Sequence, residues 1–175
     1  FADLLFSLGI AYDSPQAIDT AEEIMSFFRK ESHAASSQLA EERGVFPNFD
    51  SSVFKEKNKP MRNATTTTIA PTGTLSIIAG CSSGIEPVFA LSFVRNVMDN
   101  DKLLEVNPVF EDIAKENGFY SESLMAEIAE QGGVKGNPEI PLEFRKVFVT
   151  AHDVEPKVHI RMQAAFQRHT DNAYS

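Results

Sequence analysis

The chain opens on a short apolar pattern, Phe1, Leu4, Leu5 and Leu8, whose spacing places four side chains on one helical face. Gly9 is suited to close that helix. Asp13 or Ser14 then offers a cap, and Pro15 sits in the first turn, where a missing N–H costs nothing. Ile18, Ala21, Met25, Phe28, Ser32, Ala35 and Leu39 continue at helical spacing and predict a long amphipathic helix up to about Gly44. Pro, Asn, Ser and Lys between Val45 and Met61 predict an irregular surface connection. Ala64 to Ala70 is β-branched and uncharged, the pattern of a short buried strand. It runs into a stretch that carries no charge before Glu86.

The second half is read as mostly helical. Asn107 and Pro108 start a helix with Val109, Phe110, Ile113 and Ala114 on its apolar face, and Gly118 ends it. Ser121 or Ser123 caps another through Leu124, Met125, Ile128 and Ala129, which stops at Gly132 and Gly133. Periodicity leaves Leu142 to Val154 open between helix and strand. Val158, Met162, Ala165 and Phe166 share one face of a last helix ending near His169. One strand leading through a loop into a helix, inside a helix-rich chain, predicts an α/β protein.

Composition narrows the function classes. With 175 residues, 42% of them hydrophobic, the chain can bury a core. Its net charge of -9 excludes a general electrostatic grip on DNA, RNA or an anionic membrane, so an anionic ligand must be held by local geometry. No apolar run reaches the roughly 20 residues of a membrane span, and the expected location is the cytoplasm. A single cysteine, Cys81, excludes an internal disulfide and dithiol chemistry within these residues. The opening at Phe1 and the end at Ser175 read as cuts from a longer chain.

The candidate chemistry lies between Thr65 and Ser83. After the expected strand, Pro71 fixes the chain exit, Gly73 permits close backbone approach, and Thr72, Thr74 and Ser76 supply hydroxyls. A turn of this kind entering a helix leaves N–H groups pointing one way, suited to a phosphate or carboxylate. An ordinary strand-to-helix connection rich in turn formers accounts for the same residues. The P-loop pattern GxxxxGK[ST] and the dinucleotide fingerprint are both missing. Cys81 is expected to be a small buried residue rather than a nucleophile, since no histidine accompanies it. Glu86 is expected to pair with Arg62 or Arg95, or to meet a ligand. His33 is placed on a polar helix flank, and the spacing of His152, His159 and His169 does not match a helical zinc site.

Read together, Arg62-Asn63-Ala64-Thr65, Thr68 to Thr74, Ser76 and Ile78 to Pro87 closely resemble a signature of the large catalytic subunit of ribonucleotide reductase, nearest to its adenosylcobalamin-dependent, class II branch. Val149 to Asp153, His159 to Ser175 and the opening Ala2 to Ser14 add to the resemblance, which covers nearly the whole chain. It implies that residues 1–175 are the C-terminal portion of a ten-stranded α/β barrel that reduces ribonucleotides to 2′-deoxyribonucleotides. It further implies that Pro71, Thr72, Gly73, Thr74, Leu75 and Ser76 hold the substrate's phosphates. His159 to Ser175 would form a helix-to-strand passage.

The reaction implied begins with a thiyl radical that removes the 3′-hydrogen, aided by a Glu and an Asn, with a separate cysteine pair as reductant. The motif carrying that radical cysteine is not in this sequence, and Cys81 lies in another motif. No catalytic residue is therefore expected here, and the isolated segment is expected to be inactive. The implied cofactor is adenosylcobalamin, bound by the full-length enzyme and not by this segment alone. The implied partners are a ribonucleoside di- or triphosphate, the remainder of the catalytic chain, an external dithiol such as thioredoxin, and a second copy in a homodimer. A non-catalytic nucleotide-binding or assembly module that keeps the loop is the alternative.

Overall fold

The computed structural model describes residues 1–96 and 102–173. Its elements in chain order are α1 (Ala2–Ser7), α2 (Pro15–Arg43), a 3-10 turn (Phe49–Ser51), α3 (Val53–Glu56), α4 (Gly73–Ala79), β1 (Ser92–Asn96), β2 (Lys102–Val106), α5 (Pro108–Glu116), α6 (Glu122–Gln131), α7 (Leu142–Val147) and α8 (Pro156–Gln167). They form two compact units, Phe1–Ile18 with Pro71–Met162, and Asp19–Ala70 with Gln163–Ser175.

The first unit is built around Phe6, Leu91, Phe110, Leu124, Met125, Ile128, Val134, Ile140 and Phe148, all essentially sealed from solvent. Phe148 is the hub, with ring centroids 4.8 Å from both Phe6 and Phe110. Clustering aromatic rings at these tilted geometries adds to the burial of their area. The antiparallel hairpin β1–β2 pairs Ser92 with Val106 and Val94 with Leu104, and it packs against α6. The apolar pattern alone does not predict these two strands, although Phe93, Val94 and Val106 carry strand propensity.

Caps explain where the helices start. The Asn107 side chain accepts the Phe110 amide at 3.0 Å and Pro108 follows at the first helical position. Ser121 does the same for α6 by accepting the Leu124 amide at 3.1 Å. Ser14, of the two expected candidates for α2, accepts the Ala17 amide at 3.1 Å. The stretch left open resolves as α7 up to Val147, after which Phe148 and Val149 are buried outside any helix.

Several expected faces are corrected. In α1 the buried residues are Ala2, Leu5 and Phe6, while Leu4 and Leu8 are exposed. Two turns are too few for spacing to fix a face, and the aromatic core selects Phe6. In α2 the buried positions are Ala17, Ala21, Met25, His33, Ser36 and Ala40, so Phe28, Ala35 and Leu39 fall outside the stripe. His33, expected on a polar flank, is buried with hydrogen-bond partners at both ring nitrogens.

In the second unit the expected surface connection has its own small core of Phe46, Phe49 and Met61, with Phe54 against it. Buried Ser36 donates to Asn63 Oδ1 at 3.1 Å and accepts the Asn63 amide at 3.0 Å, fixing the exit of that segment on α2. The expected strand Ala64 to Ala70 is not one. It is extended chain, and Thr65, Thr68 and Ala70 are exposed. Its neighbour is the segment after α8. Thr67 accepts the Asn172 amide at its carbonyl (3.2 Å) and the Asp171 amide at its hydroxyl (3.0 Å). No ladder forms over this stretch among the described residues, so β-propensity alone does not make a strand. For the same reason the helix-to-strand passage expected over His159 to Ser175 yields α8 but no strand through Ala173; Tyr174 and Ser175 lie outside the described residues.

Asp171 is the polar anchor of this unit. Its carboxylate accepts the Thr66 amide (2.8 Å), the Thr66 hydroxyl (2.9 Å) and His33 Nε2 (3.0 Å). Burial pushes its pKa up, but the hydrogen bonds from the Thr66 amide and from the His33 and Thr66 side chains outweigh burial, and the net shift is below the ordinary 3.8. A lowered carboxylate stabilises the fold above its unfolded pKa and loses that contribution as pH falls through the folded value. The acid limb of the unfolding curve below about pH 4 is therefore expected to flatten in Asp171→Asn, measured as the urea midpoint against pH. In the first unit, Phe148→Ala is expected to cost about 3–5 kcal/mol, read from denaturant unfolding.

Candidate functional site: the Pro71–Ser76 loop and its supports

Thr72 caps α4 in the left-handed region, at φ 53° and ψ 30°. A β-branched residue rarely adopts that conformation, so the turn is held against local strain. Two bonds from the following segment hold it. The Gly84 amide donates to Thr72 Oγ1 at 3.2 Å, and the Ser83 hydroxyl donates to the Pro71 carbonyl. Thus the two halves of the Pro71–Pro87 stretch clasp each other across α4.

The first bond inside α4 runs from the Ser76 amide to the Thr72 carbonyl at 2.9 Å. The amides of Gly73, Thr74 and Leu75 precede it and have no intrahelical acceptor. The three hydroxyls divide their roles. Ser76 donates back to the Gly73 carbonyl at 2.7 Å and Thr72 receives Gly84, so both shape the loop. Thr74 makes no intramolecular hydrogen bond among the described residues and is exposed. A Cβ added at Gly73 meets nothing within 4 Å, so the space in front of the helix start is open.

The Ser82–Ile85 segment is fixed in turn by the start of the chain. Asp3 Oδ2 accepts the Ser82 amide at 2.6 Å, and the Asp3 amide donates to Ser82 Oγ at 3.1 Å. The other carboxylate oxygen, Asp3 Oδ1, accepts Asn107 Nδ2 at 2.8 Å. The Phe1 nitrogen donates to the Gly84 carbonyl (3.2 Å), and the buried Tyr12 hydroxyl donates to the Ile85 carbonyl (2.9 Å). One carboxylate therefore joins α1, the loop after α4 and the cap of α5. Sequence reasoning missed Asp3 and Tyr12 as supports. They are separated from their partners by 73 to 104 residues, and no short motif signals such a pairing.

Two cavities flank the site. One, of about 570 Å³, is lined by apolar groups including Pro87, Val88, Phe89 and Phe93 and reaches Pro71, Ser83 and Glu86. The other, of about 520 Å³, reaches Ser76, Ile77, Cys81 and Asp3. Thr72, Gly73, Thr74 and Leu75 line neither and stand exposed beside them. Cys81 is exposed, contrary to the expectation of burial, because α4 ends at Gly80 and turns it outward. Glu86 accepts its neighbour Ile85's amide at 2.9 Å; the Arg95 side chain lies outside the described residues and Arg62 belongs to the other unit. Within Val149 to Asp153, the Asp153 carboxylate accepts the Thr150 amide and hydroxyl at 2.9 and 3.0 Å, making a turn rather than an open site. His152 stacks edge-on against Phe89 and His159 lies against Tyr12.

No helix among the described residues is long and apolar enough to cross a membrane.

The helix start at Thr72 thus offers only neutral donors and stands beside an apolar cavity in an acidic chain. The ribonucleotide reductase barrel domain matches residues 1–60 and 55–175, and the chain belongs to that family. It is 55% identical over 175 residues to the vitamin B12-dependent ribonucleoside-diphosphate reductase of Thermoplasma acidophilum, covering all of this chain and 23% of that protein. It is 50% identical over 174 residues to the reductase of the same name from Mycobacterium tuberculosis, covering 99% of this chain and 25% of that one. The class Id ribonucleotide reductase alpha subunit of Actinobacillus ureae superposes over 99% of this chain and 30% of its own, with a TM-score of 0.80 and 25% identity. The chain thus spans about a quarter of the curated relatives it matches, and its helices and hairpin are a segment of the α/β barrel.

The clasp makes a direct prediction. Asp3→Ala removes the acceptor for the Ser82 amide and the Asn107 side chain, two bonds to a charged group, and is expected to cost about 2–4 kcal/mol. Hydrogen exchange at Ser82 and Gly84 is expected to accelerate more than exchange in α6.

Proposed function

We propose that this chain is the segment of a ribonucleotide reductase large subunit that receives the substrate's phosphates on Pro71, Thr72, Gly73, Thr74, Leu75 and Ser76. The observation that carries the reading is the strained, doubly clasped helix start at Thr72, whose amides at Gly73, Thr74 and Leu75 precede the first intrahelical bond beside an exposed Thr74. Neutral donors suit an acidic chain because they bind an anion without a lysine or arginine, and their dipoles are fixed before the ligand arrives. The substrate is a ribonucleoside diphosphate, the substrate class in the names of the two 50–55% identical relatives.

In this reading the loop's work is positional. Holding the phosphates at a fixed helix start sets where the ribose lies, and proximity of this kind supplies much of the rate in any bound reaction. Adenosylcobalamin, carried elsewhere in the full-length enzyme, supplies radical initiation. The remainder of the catalytic chain contributes the radical cysteine and the reducing pair. It also covers α4, where Leu75, Ile77 and Ile78 are exposed at 65–78% although apolar. An external dithiol such as thioredoxin, a homodimeric assembly and a cytoplasmic location belong to the same reading.

The test uses Gly73→Val in the full-length enzyme. Because a Cβ at Gly73 meets no neighbour, folding is expected to be nearly unchanged, with a Tm within about 2 °C of the parent. The same side chain blocks backbone approach by the phosphate, and substrate affinity is expected to fall at least about tenfold. Unchanged affinity in a folded Gly73→Val enzyme removes the phosphate assignment.

A further inference from the structure

The second unit contains a cavity of about 400 Å³ lined by Ser26, Arg29, Lys30, His33, Phe54, Lys57, Lys59 and His169. Four of the chain's 16 lysines and arginines and two of its four histidines meet there, and no carboxylate lines it. In a chain of net charge -9 such a concentration of one sign is not a sample of the average surface.

Its back wall is ordered by buried groups. His33 is 6% exposed, and the Lys59 ammonium donates to its Nδ1 at 3.0 Å. Nδ1 is thereby an acceptor, so Nε2 carries the proton and donates to Asp171 at 3.0 Å. The Asp171 carboxylate behind the imidazole accepts from Thr66 and His33 and lies 3.8 Å from Arg29. Lys59 keeps two of its three N–H donors beyond the one given to His33. Arg29 is steadied by a bond to the Arg168 carbonyl at 3.2 Å. Lys30 is the loosest member, 81% exposed and 3.6 Å from Glu31. Lys57 and Lys59 lie two residues apart with Asn58 between them at φ 47°, a turn that brings both lysines to one cavity.

We propose that this cavity is a second anion site, selective for a phosphate group and held by Lys57, Lys59 and Arg29 on the His33–Asp171 wall. It shares no residue with the Pro71–Ser76 loop and does not depend on that loop's role. Three donors of positive charge converging on one small volume match a tetrahedral dianion better than a monovalent carboxylate. The shared chemistry is a phosphate group, either free or at the end of a nucleotide.

The test is a histidine-selective ¹⁵N NMR titration of the full-length enzyme with inorganic phosphate, and separately with adenosine diphosphate, at constant ionic strength set by chloride. The imidazole ¹⁵N resonances of His33 are expected to shift with a Kd on the order of 1 mM or tighter, while those of His159 stay in place. The double variant Lys57→Gln with Lys59→Gln is expected to weaken binding by about tenfold or more, and Lys55→Gln, outside the cavity, to leave it unchanged. Equal affinities for the two ligands identify the phosphate group alone as what is recognised; tighter binding of adenosine diphosphate identifies a nucleotide. An unmoved His33, an equal response to chloride, or an unweakened double variant overturns the proposal. If the double variant does not fold, the His33 titration of the unaltered chain decides alone.

Discussion

The Asp3 carboxylate is the interaction on which the candidate site rests. Its two oxygens accept from two places far apart in sequence, the Ser82 amide and the Asn107 side chain. Through Asn107, which also caps α5, the carboxylate is tied to the aromatic core that Phe110 enters. Through Ser82 it is tied to Ser83 and Gly84, and these clasp Pro71 and Thr72. The rigidity of the packed core is thus relayed by hydrogen bonds to a loop that buries almost nothing itself. A loop made only of polar turn residues has no packing to fix it, so an anion site there needs such external bracing.

The two anion sites proposed for this chain rest on opposite electrostatics. At α4 the donors are backbone amides and a threonine hydroxyl, with no positive side chain among Pro71–Ser76. A site of this sort changes little in charge when a ligand enters and discriminates by geometry. In the other unit the proposed site uses three cations, and the neighbouring Asp171 is engaged by Thr66 and His33. Charge there is concentrated by withholding carboxylates from the cavity lining, a matter of placement rather than of composition.

What was legible in the sequence divides along a physical line. Local signals carried through: the Asn107-Pro108 and Ser121 helix starts, the α6 end at Gly132 and the long α2 are set by groups within a few residues of each other. Faces and partners did not carry through. Phe6 rather than Leu4 or Leu8 is buried because Phe148 stands 4.8 Å away, a fact no window of α1 contains. His33 is buried because Asp171, 138 residues on, meets its Nε2. Ala64 to Ala70 has the composition of a strand but no strand pairs with it among the described residues, and a strand is a property of pairs. The phosphate role comes from the resemblance to a family; the local pattern alone favours an ordinary strand-to-helix connection.

The central claim is that the amides at the start of α4 receive a substrate phosphate. Amide hydrogen exchange of the full-length reductase, with and without a ribonucleoside diphosphate, tests it most directly. The account predicts that Gly73, Thr74 and Leu75 become protected on substrate addition by about tenfold or more, with α6 unchanged. Substrate saturation without any change at those three amides would contradict it.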